Sequence, residues 1–146
     1  MLSLTDLIAE PNKRAEIIDD CVKLVDQEVG DKGGLSGLAI KTVFGAVKGV
    51  KPGFIKEAVG ILLPEFAKAI DPLFQEAQSS GKGVSAFMVA NPARVSAALL
   101  SITDAKVKSA DNAVLKSGYD KLRGMAPKQV EAALPRLGAL LEKHAK

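Results

Sequence analysis

The chain has no tryptophan, one tyrosine, one cysteine and one histidine, and each scarcity excludes something. With aromatic residues at 4%, the core must be packed from Leu, Ile, Val and Ala, a set that suits closely spaced helices. A single cysteine cannot close an intramolecular disulfide, which agrees with a reducing, cytoplasmic setting. One Cys and one His cannot make a zinc constellation. The inward-facing Glu-x-x-His pairs of di-metal helical bundles do not occur either. The longest uncharged run, Gly83 to Ala93, is 11 residues, well short of the roughly 20 apolar residues a transmembrane helix needs. The N-terminal Met1-Leu2-Ser3-Leu4-Thr5-Asp6 has no basic segment and carries an early acid, so no secretory leader is expected. No stretch shows sustained alternation of β-branched and polar residues, so strands are not expected.

Against these absences stands one strong positive feature: the sequence is written twice. Leu7-Ile8-Ala9-Glu10-Pro11-Asn12-Lys13 returns as Met88-Val89-Ala90-Asn91-Pro92-Ala93-Arg94. Val22-x-Leu24-x-Asp26 returns as Leu100-x-Ile102-x-Asp104, and the segment Ala39 to Ile55 as Val114 to Val130. Leu63-Pro64-x-Phe66-Ala67 closes the series as Leu134-Pro135-x-Leu137-Gly138. The offsets fall in small steps (81, 78, 75 and 71 residues), as a tandem duplication with short loop deletions requires. Each half of about 70 residues would be marginal alone, so the halves should share a core. The expectation is an all-α fold over residues 1–146 as a single domain. It is a compact helical bundle of two tandem, pseudo-two-fold-related repeats, 3–78 and 84–144, with about four helices each and a linker at 79–83. The Leu-Pro segments resemble the first helix of HEAT-type solenoid repeats over about ten residues per copy. The second-helix signature is missing and the period is too long, so no function follows from the resemblance.

Local signals fill in this plan. Ser3 and Ser85 suit the caps of two short helices, while Asn12, Asn91-Pro92, Ser36 and Thr103-Asp104 read as further helix starts. Pro64 and Pro135 fall inside apolar helical runs in equivalent positions, predicting a kink or break in both copies. Gly45, Gly49 and Gly53, spaced by four, predict a tight helix crossing. The predicted core holds Leu24, Val43, Phe44, Val47, Ile55, Leu63 and Phe66 from the first copy. From the second it takes Ile102, Tyr119, Leu122, Val130, Leu134 and Leu137.

The search for chemistry returns little. His144 lies near the C-terminus on a helix end expected to fray, and Cys21 sits on an apolar stripe, where a thiol behaves as a small hydrophobe. Asp31-Lys32-Gly33-Gly34 lacks the strand-loop-helix context of a phosphate loop. Asp26 and Asp104 are equivalent across the repeats; an enzyme built on them requires both in one closed pocket. No catalytic residue, metal ligand or cofactor is expected.

The basic residues Lys41, Lys48, Lys116 and Arg123 survive duplication and are the candidate anion-binding residues. Cations near helix C-termini also have a purely structural use, since they complement the macrodipole. Charge is uneven: residues 1–73 carry 9 basic and 11 acidic side chains, residues 74–146 carry 11 and 6. That imbalance is too weak to call for nucleic acid, and an acidic membrane surface or another anion is the alternative partner for these cations. Two functional expectations remain. The first is a non-enzymatic, cytoplasmic, soluble protein acting through macromolecular interaction, with a protein partner or by self-association. The second is a carrier of an apolar ligand or lipid in a cavity between the two repeats.

Overall fold

The computed structural model describes residues 3–145. Those residues form eight helices: α1 (Leu4–Ala9), α2 (Pro11–Asp31), α3 (Gly34–Lys48), α4 (Phe54–Ser80), α5 (Val84–Ala90), α6 (Pro92–Lys108), α7 (Ala113–Arg123) and α8 (Ala126–His144). The fold is all-α, and among the described residues no strand is present. No single helix among them is long and apolar enough to cross a membrane.

The order of lengths (short, long, medium, long) occurs twice along the chain, and so do the contacts. The short α1 packs on α2 and α4, and the short α5 packs on α6 and α8. Across the middle, α2 packs on α8, α4 packs on α6, and α3 packs on α7. Gly118 on α7 makes that last contact: a Cβ there would stand 2.8 Å from Val43 Cγ1. Gly138 on α8 does the same for α5, where a Cβ would lie 2.6 Å from the Ser85 Cα. These glycines, and not the Gly45-Gly49-Gly53 series, mark the tight helix crossings. A Cβ at Gly45 or Gly53 would meet nothing within 4 Å, and at Gly49 only carbonyl oxygens of its own turn. Gly53 is needed for its backbone instead, since it precedes α4 with φ of +71°.

Several helix starts differ from expectation, each for a local reason. Glu10, not Asn12, caps α2, because the residue before Pro11 is held extended and its carboxylate reaches the amides of Asn12 and Lys13 at 3.1 and 2.6 Å. Ser36 lies within α3, which has already begun at Gly34. Thr103 does not start a helix: its hydroxyl bonds back to the Leu100 carbonyl at 3.1 Å, and α6 continues to Lys108. Asn112 caps α7 instead. Pro92 opens α6 as expected, and Pro127 lies in the first turn of α8. Helix α4 extends through Ser79 and Ser80, so the turn between the copies is confined to residues 81–83.

The first turns of the short helices are satisfied from far along the chain. The Leu4 amide of α1 donates to Asp71 of α4 at 2.8 Å. The Ser85 amide of α5 donates to Glu142 of α8 at 2.8 Å. Pro64 and Pro135 do not break their helices, both of which run through. The carbonyl that Pro64 leaves unpaired, that of Gly60, accepts from the Arg14 guanidinium at 2.8 Å.

Candidate functional site

The densely packed core draws on α1, α4, α5, α6 and α8. It gathers Leu4, Ala67, Ile70, Leu73, Phe74, Ala77, Val84, Met88, Val95 and Leu134, of which Phe74, Met88, Val95 and Leu134 are the largest fully buried side chains. Of the side chains predicted as core, Leu63 and Leu134 are buried, whereas Leu24, Val43, Phe44, Val47, Ile55, Phe66, Ile102, Tyr119, Leu122, Val130 and Leu137 keep part of their surface. Among these, Leu24, Leu63, Phe66, Val130 and Leu137 face an apolar cavity of about 310 Å³, partly open to solvent, between the helices.

Helical periodicity builds the wall. Ile17, Cys21, Leu24 and Val25 of α2 fall at spacings of four, three and one, and Val59, Leu63, Phe66, Ala67 and Ile70 of α4 repeat that rhythm. On α8 the stripe runs Val130, Ala133, Leu137, Leu140, Leu141 and His144. At 1.5 Å per residue that stripe extends over about 21 Å of α8. Leu4, Leu7 and Ile8 of α1 and Leu99, Leu100 and Thr103 of α6 complete it. Helices from both halves of the chain thus contribute to one space.

Three polar side chains lie in this lining, and they differ in what they have free. The Thr103 hydroxyl is engaged with the Leu100 carbonyl and with the Tyr119 hydroxyl at 2.7 Å. Burial pushes the Cys21 thiol up to about 11, with the neighbouring Asp20 charge acting in the same direction. A thiol so shifted is protonated at neutral pH and reacts only slowly with electrophiles. His144 is the third, and its position departs from expectation. Its helix end does not fray but docks on α2, leaving the imidazole 2% exposed with Nε2 2.6 Å from Asp20 Oδ2. Lys143 Nζ reaches the same oxygen at 2.9 Å. The Lys143 hydrogen bond is the main force holding the Asp20 carboxyl below its ordinary value; burial opposes it and His144 assists. His144 Nδ1 is buried with no hydrogen-bond partner among the described residues.

The candidate anion-binding residues lie elsewhere. Lys48 Nζ pairs with Asp26 at 3.4 Å and stands 4.9 Å from the centre of the Phe44 ring. Arg123 grips Asp104 with Nε at 2.8 Å and a second nitrogen at 3.1 Å, and the Tyr119 hydroxyl bonds the same carboxylate. Arg123 above all, and Tyr119 after it, hold the Asp104 carboxyl below its usual range. Lys41 and Lys116 are exposed on α3 and α7. Lys48 and Arg123 thus each neutralise a carboxylate on the preceding helix, and neither Asp26 nor Asp104 lines the cavity. Among the described residues no group of three His, Cys, Asp or Glu side chains could hold a metal ion.

Sequence reasoning passed over His144 because docking of a chain end is invisible in local pattern. The signal available was its place on the Val130-Leu134-Leu137-Leu141 stripe, one turn further on. No curated protein and no solved structure matches the chain. Residues 4–145 match the model of a family described as "Family of unknown function (DUF6918)". An all-helical chain with an apolar cavity at its centre is therefore a member of that family.

Proposed function

We propose that this protein binds and carries an apolar, chain-like ligand in the cavity between two pseudo-equivalent halves. The observation that carries the reading is the cavity wall: side chains patterned for a shared core converge, yet leave about 310 Å³ unfilled and lined by carbon. Pockets that take small molecules begin at about that volume and are mostly apolar. An empty apolar space of this size is costly, by about 24 cal/mol per Å³ of residual cavity in engineered cores, and a ligand would remove that cost. The halves are read as duplicated units on an approximate two-fold axis. In support, the Asp71 and Glu142 caps, and the Asp26–Lys48 and Asp104–Arg123 ion pairs, fall at aligned positions. The role requires no catalytic group.

The test is binding of N-phenyl-1-naphthylamine, a dye that fluoresces in apolar surroundings, with alkylation of Cys21 as a locating probe. Saturable 1:1 enhancement, displaced by long-chain alkanes or alcohols and slowing Cys21 alkylation, is the expected result. A protein that neither binds the dye nor protects Cys21 does not use the cavity.

A second reading, macromolecular interaction, rests on α3. Leu35 is 88% and Leu38 64% exposed, on a helix whose other face already packs on α7. Replacing both leucines with serine should then abolish any concentration-dependent association seen in sedimentation, without disturbing dye binding.

A further inference from the structure

We propose that the outer face of α3 docks this protein on a lipid bilayer whose surface carries anionic head groups. The face is a single stripe. Leu35, Leu38, Ala39, Thr42, Gly45 and Ala46 are all exposed and recur at helical spacing over about 17 Å of α3. Leu35 and Leu38 are the most exposed large apolar side chains among the described residues. On α7 the exposed Val114 stands one turn from Gly118, the point at which Val43 of α3 packs. The stripe holds no charged residue, and its one hydroxyl is already satisfied, since Thr42 Oγ1 donates to the Leu38 carbonyl at 2.8 Å. It can therefore enter an apolar phase without leaving a polar side chain unpaired.

Charge complementarity identifies that phase. Helix α3 carries two lysines and no acid. Lys48 is occupied by Asp26 at 3.4 Å. Lys41, three residues past Leu38, borders the stripe, exposed and with no ion-pair partner among the described residues. Lys121, three residues past Gly118 on α7, is likewise exposed and unpaired among them. Apolar side chains bordered by free cations match an interface in which acyl chains lie beneath anionic head groups. A second copy of the chain fits less well. Antiparallel pairing of α3 on α3 about a two-fold axis near Thr42 would bring the Lys41 side chains of the two copies together, with no acid on either helix to meet them. Nucleic acid fits less well still, because the stripe offers no aromatic side chain for a base to stack on. The docking face is separate from the large cavity, so the proposal stands whether or not that cavity carries a ligand. On the opposite side of α3, Ile40 lines a smaller cavity of about 180 Å³ that shares Val130 with the larger one. A bilayer on this face therefore lies one helix away from apolar space.

The test is co-sedimentation of the full-length protein with vesicles of dioleoylphosphatidylcholine, with and without about one third dioleoylphosphatidylglycerol. The anionic vesicles should bind at least about tenfold more tightly than the neutral ones, and the preference should fade as salt rises toward about 0.5 M. Leu35→Ser and Leu38→Ser together should weaken binding to anionic vesicles about tenfold or more. Lys41→Gln and Lys121→Gln together should remove most of the preference for them. All four side chains are exposed, so circular dichroism and dye binding should stay as in the parent, which separates lost docking from lost folding. No binding, equal binding to both vesicles at low salt, or a leucine variant that binds as the parent does overturns the proposal. So does a parent dimer that the leucine variant dissolves and anionic vesicles do not, since the face then belongs to self-association. Each of these results leaves dye binding, and with it the carrier reading, untouched. Vesicle docking without dye binding would sink the carrier reading alone.

Discussion

Filling the cavity from one side gives opposite signs for a real void and for an ordinary packed core. Ala133 on α8 lines the cavity and is half-buried, whereas Ala77 on α4 is 0% exposed, belongs to the dense core and does not line the cavity. Ala133→Leu adds three carbons, worth about 2.4 kcal/mol at about 0.8 kcal/mol per buried methylene. Freezing the leucine rotamer opposes this by about 0.5–1 kcal/mol. Because the cavity is partly open, only part of the new surface leaves water, and the net gain should be about 1 kcal/mol. For a chain of this size that raises the midpoint of thermal unfolding by roughly 2–4 °C. Ala77→Leu inserts the same three carbons where there is no space, and overpacking should cost about 1–3 kcal/mol. Thermal and urea unfolding followed by far-ultraviolet circular dichroism measure both, and dye affinity should fall in Ala133→Leu alone. If Ala133→Leu destabilises as Ala77→Leu does, the space between the helices is not available to a ligand and the reasoning fails.

Two further outcomes follow from the hydrogen bonds. Asp71→Ala and Glu142→Ala each leave a first-turn amide of a short helix without its acceptor, and each should cost about 0.5–2 kcal/mol. Urea midpoints of the single and double variants should show similar, additive losses; one neutral and one costly substitution would contradict the equivalence of the two halves. The Asp20 carboxyl is held below its ordinary value, chiefly by Lys143, so it contributes stability above the unfolded pKa of about 3.9. That contribution is lost as pH falls through the lower folded value. Asp20→Asn should therefore lower stability at pH 7 and flatten the acid side of the stability profile below about pH 4, and parallel profiles for the two proteins would refute the assignment.

The parts of the fold that local chemistry decides were legible in the sequence. The apolar stripes of α2 and α8, the proline starts at Pro92 and Pro127 and the order of the helices all follow from spacing and backbone restriction. Part of what failed was local, as at the Glu10 cap, and part depended on distant partners. Asp71 caps a helix 67 residues away, and no window of sequence contains both. Thr103 looked like a helix start because its hydroxyl can cap, but packing of α6 on α8 and α4 holds it inside the helix. The basic residues could be picked out from the sequence, but the carboxylates that neutralise Lys48 and Arg123 lie on preceding helices. The cavity was legible only as an alternative, because a stripe that faces a void and one that faces another side chain have the same spacing.

The two shortest helices have a thermodynamic property that follows from their length. Six or seven residues are too few to repay helix nucleation in water, so α1 and α5 exist as helices only while docked. For each, folding and attachment are one event. Their duties differ, however. Val84 and Met88 of α5 are embedded in the dense core, whereas α1 places only Leu4 there and turns the partly buried Leu7 and Ile8 to the void. Detaching α5 would expose packed core, but detaching α1 gives up fewer contacts and uncovers the cavity. Amide exchange in residues 4–9 thus reads out, residue by residue, the free energy of access to the interior.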